Sequence, residues 1–426
     1  MGELPEPGFA AMSAALAMGA MMARLGLDFG TSNTAAGVSV NGTPYVIPLE
    51  PGEQTLPTAV FVDFAAQRYV YGSAAARAMR EGAEGRFMRA LKSILGTPLA
   101  REPRRVLNER ITLIEVIARF LAEIKARAEA HTHMTFDTAL SGRPVRFHSA
   151  SDERDAQALA DLTEAYRLAG FEAVDFLPEP EAAALAADAQ GRFLIVDIGG
   201  GTSDFTLCDR DGPGVKVLTS TGLRLGGTDF DKALSLAKAM PLLGYGAEIG
   251  AELGSRTHTA PRSLFQDLAS WEKIPFVYDA ALLRDVQRWV RLAPDPAPFE
   301  RLAEVLESHL GHDVAYAVEA AKIAANDADS ARIDLRVIEK GLSADLTHAV
   351  MTEVLSGFAD QIAAQALATL EQAGCAPETV DQVVYVGGSS ALTAVRQAMQ
   401  AALPEARAVE SERFTAVVHG LALAAE

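Results

Sequence analysis

The stretch that decides the fold is Phe-Leu-Ile-Val-Asp-Ile-Gly-Gly-Gly-Thr-Ser-Asp-Phe-Thr-Leu, from Phe193 to Leu207. Its apolar start predicts a short buried strand that ends near Asp197. The three glycines that follow let the backbone turn sharply and present N–H groups to a ligand without an intervening side chain. The residues after the turn predict a second strand, whereas a P-loop or a dinucleotide-binding turn would lead into a helix. Taken alone, the stretch also fits a plain glycine-rich hairpin.

A second copy of this pattern lies near the start of the chain, at Leu-Gly-Leu-Asp-Phe-Gly-Thr-Ser-Asn-Thr, residues 25–34. It again has an apolar strand, an aspartate at the end of that strand and a turn rich in glycine and hydroxyl groups. Two such hairpins predict two homologous lobes that close on one nucleotide. Asp28 and Asp197 would hold a hydrated Mg²⁺, because magnesium prefers a few carboxylates together with water and phosphate oxygens.

Composition narrows the class of protein. The chain has 426 residues, of which 49% are hydrophobic and 22% charged, with a net charge of −18. This is long enough for two domains and too apolar for disorder on the scale of a domain. An acidic surface disfavours nucleic acid or an anionic membrane as the main partner. Cys208 and Cys375 form neither a disulfide framework nor a zinc cluster, which favours a reducing compartment and a cytoplasmic location.

The first 22 residues need a separate interpretation. Residues 9–22 are rich in Ala and Met, but no Lys or Arg precedes them as in a secretory signal. They also run directly into the first predicted strand. We therefore interpret residues 1–22 as a disordered extension or a mis-assigned start.

The remaining pattern of strands and helices predicts an α/β protein with two lobes. Lobe I covers residues 23–190 with an insert at about 50–110, and lobe II covers residues 191–426 with an insert at about 228–335. Amphipathic helices are predicted at 111–128 and 154–169, and a long helix at 345–373.

Two polar side chains stand out along this path. Lys92 lies among apolar neighbours on a short helix, where a surface lysine is the ordinary interpretation. Glu179 lies between Pro178 and Pro180 at a corner from strand to helix. At that corner a carboxylate is either a helix cap or a catalytic group, and the local sequence leaves both open.

Two further glycine corners follow. Gly226 and Gly227 form a turn that leads into a helix. The buried strand 383–386 runs into Gly387, Gly388 and Ser389 ahead of another helix, a corner suited to close backbone approach by a nucleoside.

Together these segments resemble the nucleotide-binding domain of the DnaK-type seventy-kilodalton heat-shock chaperones, within the actin-like ATPase superfamily. The short, atypical YegD-like branch is the most similar, since it shares a Gly-Arg-Pro segment (here residues 142–147) and a Met-Pro-Leu-Leu-Gly run (here 240–244). The resemblance implies an actin-like ATPase fold, in which each lobe has a mixed five-stranded, ribonuclease H-like sheet flanked by helices. It also implies ATP or ADP with Mg²⁺ as the ligands.

The resemblance further implies roles for particular residues. Lys92 would contact the γ-phosphate and the attacking water, Glu179 would position metal or water, and Pro144 would couple nucleotide state to lobe movement. Asp197 and Thr202 join Lys92 and Glu179 in the expected catalytic set, and Asp28 and Asp197 are the expected metal ligands. The nucleotide would be held by Gly30, Thr31, Ser32, Gly199, Gly200, Gly201, Thr202, Gly226, Gly227, Glu319, Lys322, Asn326, Gly387, Gly388 and Ser389.

The chain departs from the chaperone pattern at two places. Ala391 stands where the chaperones carry an arginine that stacks on adenine. Little sequence follows the last predicted helix, so we expect no peptide-binding domain.

The expected activity is slow ATP hydrolysis that drives lobe opening and closing, with room for a protein partner that the sequence does not identify. Two alternatives stay open at this point. One is a small-molecule kinase of the same superfamily, and the other is a nucleotide-gated scaffold or filament protein with little catalysis.

Overall fold

The computed structural model describes residues 23–212, 214–251, 256–411 and 415–426. The extension predicted at residues 1–22 lies outside the described residues. The strands are β1 (Arg24–Phe29), β2 (Asn33–Val40), β3 (Thr43–Ile47), β4 (Leu56–Pro57), β5 (Ala59–Asp63), β6 (Arg68–Tyr71), β7 (Gly85–Arg89), β8 (Arg104–Val106), β9 (Glu109–Ile111), β10 (Thr138–Arg143), β11 (Ala173–Pro178), β12 (Gly191–Ile198), β13 (Ser203–Arg210), β14 (Lys216–Leu223), β15 (Glu248–Gly250), β16 (Thr257–Thr259), β17 (Ser330–Asp334), β18 (Ser343–Thr347), β19 (Gln382–Val386) and β20 (Arg407–Glu410).

The helices are distributed among these strands along the chain. The α-helices are α1 (Ser73–Arg80), α2 (Pro98–Arg101), α3 (Leu113–Thr132), α4 (Asp152–Leu168), α5 (Glu179–Ala186), α6 (Gly227–Leu234), α7 (Arg262–Leu268), α8 (Ala280–Leu292), α9 (Ala297–Glu307), α10 (Gly311–Asp327), α11 (His348–Gln372), α12 (Thr393–Ala402) and α13 (Ala416–Ala424). Shorter helical turns cover Leu91–Ile94, Ser235–Ala239, Met240–Leu243, Ile274–Phe276, Pro377–Thr379 and Gly388–Ala391.

Two large sheets share one plan. The first has the order β11-β10-β1-β2-β3, with β4 added beside β2, and the second has the order β14-β13-β12-β19-β20. In each sheet, three antiparallel strands are followed by two strands parallel to the first of them. This confirms the predicted fold class, a mixed α/β protein with an actin-like ATPase fold.

The smaller sheets lie apart from these two. The order β6-β5-β7 forms a three-stranded sheet, and β8-β9, β15-β16 and β17-β18 form three separate two-stranded ladders. The ladder of β17 and β18 corrects one boundary: residues 345–347 were predicted to begin the long helix, but they belong to β18 and pair with β17. The helix begins after Thr347, whose hydroxyl oxygen accepts the N–H of Val350.

Two helices lie between the large sheets. Helices α5 and α13 cross so closely that a β-carbon at Gly420 would lie 1.7 Å from the carbonyl oxygen of Ala182. Their apolar side chains share one buried cluster with Leu140 of the first sheet and Ile195 of the second. The two sheets are therefore joined by small residues that let backbones approach, which fixes the positions of the strand ends that form the site. In the described part of the chain, no helix combines the length and the apolar character needed to cross a bilayer.

Candidate nucleotide-binding cleft

The two glycine turns that the sequence singles out meet at the bottom of one cleft. A β-carbon at Gly200 would lie 2.6 Å from the hydroxyl oxygen of Ser32, and one at Gly201 would lie 3.0 Å from the hydroxyl oxygen of Thr31. The first distance is shorter than real β-carbon contacts, and the second is tighter than most of them. A side chain at either glycine would therefore displace Thr31 or Ser32, because the turn after β12 packs directly on the turn after β1.

The second turn is held from behind by helix α6. The N–H groups of Gly227 and Thr228 donate to the carbonyl oxygens of Gly199 and Gly200 at 3.0 and 2.8 Å. These carbonyl oxygens would repel a phosphate. Because they accept hydrogen bonds from the first residues of α6, they are held on the side of the helix. A β-carbon at Gly226 would lie 2.6 Å from the backbone nitrogen of Gly201, so Gly226 packs against the turn.

The cleft has a volume of about 410 Å³, within the usual range of small-molecule sites. Of the residues that the sequence predicts for the site, Gly226 does not line it. The others do: Asp28, Gly30, Thr31, Ser32, Lys92, Glu179, Asp197, Gly199, Gly200, Gly201, Thr202, Gly227, Glu319, Lys322, Asn326, Gly387, Gly388 and Ser389. The structure thus brings together residues from across the chain, which is the geometry that a nucleotide site requires.

Lys92 and Glu179 form a salt bridge inside the cleft, and the Lys92 side chain is only 7% exposed. Burial by itself would lower the pKa of Lys92, but the Glu179 and Asp28 carboxylates raise it by more, so Lys92 stays charged. Glu179 begins helix α5 and does not cap it through its side chain. The Glu179 carboxylate therefore lies in the cleft against Lys92 and makes no capping hydrogen bond.

Three aspartates surround this ion pair. Burial and the nearby Glu179 carboxylate raise the pKa of Asp28 to about 7. The same two causes raise the pKa of Asp204 to about 8 and that of Asp197 well above its ordinary value. With Glu179 there are four carboxyl groups and one lysine, so ionising all three aspartates would leave an excess of negative charge, and without a cation they hold protons instead.

A magnesium ion would let these carboxyl groups ionise, because its charge offsets theirs. Among the described residues, no group of three or more acidic, histidine or cysteine side chains is close enough to hold a metal alone. Magnesium usually keeps several waters and binds through one or two carboxylates together with substrate phosphates. Asp28 and Asp197 could supply those carboxylates beside the glycine turns.

The far end of the cleft is formed by one face of helix α10. Glu319, Lys322, Ile323, Asn326 and Asp327 recur at helical spacing and all line the cleft. The opposite wall is the corner that contains Gly387, Gly388 and Ser389. Charged side chains also lie at this end, but those of Glu319 and Lys322 are paired within the protein.

Glu319 and Lys322 of α10 both have partners from elsewhere in the chain. Arg89 donates two hydrogen bonds to Glu319 at 2.8 and 3.0 Å. Burial works against ionisation of Glu319, but these bonds lower its pKa below the ordinary value. Lys322 donates to Asp231 at 2.6 Å, and the indole N–H of Trp271 donates to the same carboxylate at 3.1 Å.

Sequence reasoning missed Asp204, Arg89 and Asp231. A signal existed for Asp204: a four-residue turn places it directly opposite Asp197 on the neighbouring strand. It accepts the N–H of Val145 at 2.8 Å, which ties the loop containing Pro144 to the second hairpin. Arg89 and Asp231 have no local signal, because their partners lie far away in the sequence.

A comparison with protein-family models identifies a related family. The model described as "Hsp70 protein" matches residues 24–237 of this chain, slightly more than half of its length. The matched region contains both glycine turns, Lys92, Glu179 and helix α6.

Proposed function

The chain belongs to the Hsp70 family, and from this premise and the geometry of the cleft we propose that it binds ATP or ADP with Mg²⁺ and hydrolyses ATP slowly. At the family level it is an ATP-binding, chaperone-like ATPase. The observation that carries the finer proposal is the convergence of two glycine turns on a buried lysine and four carboxyl groups. That arrangement suits a polyphosphate and its metal ion better than a neutral ligand.

The proposed reaction is attack of water on the γ-phosphoryl group, giving ADP and phosphate. Asp28 and Asp197 would hold the magnesium ion, which would supply charge neutralisation to the phosphates. The Lys92 ammonium stabilises the negative charge that develops on the transferred group. Glu179 orients the water, since it already hydrogen-bonds to Lys92 at the same point of the cleft.

The purpose of the reaction would be conformational. The turn after β1 belongs to the proposed lobe I (residues 23–190) and the turn after β12 to the proposed lobe II (residues 191–426). A nucleotide that touches both turns can shift an equilibrium between open and closed lobes, because its contacts differ in the two states. The Pro144 loop is proposed to carry this change, since its neighbour Val145 hydrogen-bonds to Asp204.

We also propose a subfamily, a cellular location and a protein partner for this chain. The segments 142–147 and 240–244 support placement in the YegD-like branch. Cys208 and Cys375 are both free thiols, which supports a cytoplasmic location. A protein partner would respond to the opening and closing of the two lobes.

The test is a calorimetric titration of the protein with MgATP and MgADP, followed by phosphate release in the same sample. Binding with release of phosphate supports the proposal. Binding without release would favour a nucleotide-gated scaffold, and phosphate transfer to an added sugar would favour a kinase. Absence of nucleotide binding would refute the proposed site.

A further inference from the structure

Ile323 has an unusual environment for an apolar side chain. It is 59% exposed, the highest value among the large apolar side chains that are exposed in the described part of the chain. It also lines the cleft, on the face of α10 that contains Lys322 and Asn326. An apolar surface at this end of a cleft whose other end binds phosphate suits a ligand with an apolar flat group beside its phosphates.

The polar groups around Ile323 offer little means to distinguish one base from another. The Asn326 side-chain amide donates to the carbonyl oxygen of Ala391 at 3.2 Å, and its oxygen accepts the N–H of Thr393 at 2.8 Å. Asn326 therefore holds the corner after β19 and is not available to read a base edge. The hydroxyl of Ser389 can donate or accept, so it suits either pattern. Asp327 has an exposed carboxylate that can only accept, and every common base except thymine and uracil offers an exocyclic amino group.

We propose that Ile323 is the stacking platform for the nucleobase, and that this site accepts adenine and guanine nucleotides with similar affinity. The inference rests on the proposed function, because it assumes that nucleotide phosphates occupy the charged end. Adenine and guanine differ in the donors and acceptors of their edges, and only a site with fixed hydrogen-bonding partners rejects one of them strongly. A site that binds mainly through an apolar face has no such means.

The first experiment titrates the wild-type protein with MgADP and with MgGDP under the same conditions. We expect dissociation constants that agree within about fivefold, a difference of about 1 kcal/mol. A preference of more than thirtyfold, about 2 kcal/mol, for either nucleotide would overturn the inference and leave the proposed nucleotide site intact. If neither nucleotide binds, the proposed function itself fails, which is a distinct result.

The second experiment tests the platform with Ile323→Ala. Loss of apolar contact should weaken MgADP and MgGDP equally, by about tenfold. Binding of magnesium tripolyphosphate, which has no base, should stay unchanged. The matched control is Val337→Ala, because Val337 is also strongly exposed, at 49%, but lies outside the cleft. Unchanged nucleotide affinity in Ile323→Ala, or an equal loss for tripolyphosphate, would contradict the stacking role.

Discussion

Arg89 and Glu319 lie 230 positions apart in the sequence and meet beside the cleft in a two-bond ion pair. Arg89 ends strand β7, and Glu319 belongs to helix α10. The guanidinium also lies 4.3 Å from the centre of the Trp271 ring, which adds a cation–π contact. The pair therefore ties the small three-stranded sheet to the helix that forms the far end of the cleft.

This connection predicts that Arg89 slows the release of nucleotide. Arg89→Met should raise the dissociation rate of ADP by about tenfold, since a charged hydrogen bond contributes about 1.5 to 3 kcal/mol. Stopped-flow displacement of a fluorescent ADP analogue measures the rate. The control is Arg336→Met, which removes an ion pair with Asp334 on the exposed surface. Equal dissociation rates for the wild type and Arg89→Met would show that the pair does not restrain the nucleotide.

Lys92 is expected to matter for turnover far more than for binding. Lys92→Ala should leave the affinity for MgATP within a few-fold and reduce phosphate release by about a hundredfold or more, as expected when a transition-state contact is removed. Calorimetry and a phosphate-release assay give the two quantities. Lys340→Ala, at an exposed lysine, serves as the control. Wild-type turnover in Lys92→Ala would remove Lys92 from the mechanism.

The buried carboxyl groups predict that the ligand-free protein becomes less stable as pH rises. The pKa values of Asp28 and Asp204 are raised from 3.8 to about 7 and about 8, so the folded state holds protons that the unfolded chain has lost. The contribution of these protonated carboxyl groups to the free energy of unfolding is fully present below pH 3.8. It is lost progressively as pH rises from there through 7 and 8. We expect the free energy of unfolding to fall by about 2 kcal/mol between pH 6 and pH 8. Each pKa unit corresponds to about 1.4 kcal/mol, and relaxation of the protein around the ionised groups reduces the total.

Urea denaturation at both pH values measures this loss. Asp204→Asn should flatten the dependence, because the amide cannot ionise and its oxygen can still accept from Val145. Asp334→Asn, at an exposed position, should leave the slope as in the wild type. Excess Mg²⁺ should stabilise the protein more at pH 8 than at pH 6. A stability that increases between pH 6 and pH 8 would contradict this account.

Asp231 is expected to be a structural anchor for Lys322. Asp231→Ala leaves a buried ammonium without its carboxylate partner, which should lower the free energy of unfolding by about 3 kcal/mol. Lys322→Met in the same chain should recover part of this loss, because the unpaired charge is then gone. Urea denaturation tests both variants against Asp267→Ala, which removes an ion pair with Lys273 on the surface. If the double variant is less stable than Asp231→Ala, the assumed cause is wrong.

The sequence by itself determined the two glycine hairpins and the mixed α/β plan of the sheets. These features depend on residues that are neighbours in the chain: an apolar run, an aspartate at its end and glycines in the turn. Such local patterns restrict the backbone before any distant contact forms. For the same reason the sequence also identified Lys92 and Glu179 as candidate site residues, since each lies within a recognisable segment.

Only the tertiary structure decided which charges pair and which polar groups remain available to a ligand. Lys322 meets Asp231 across 91 positions, and Asn326 is held by Thr393 across 67. Helix α13, at the end of the chain, packs on β1, β2 and β3 of the first sheet. Contacts between such distant residues follow from the packing of whole helices and sheets, which local periodicity does not specify. The wall around Ile323 is therefore defined by the fold.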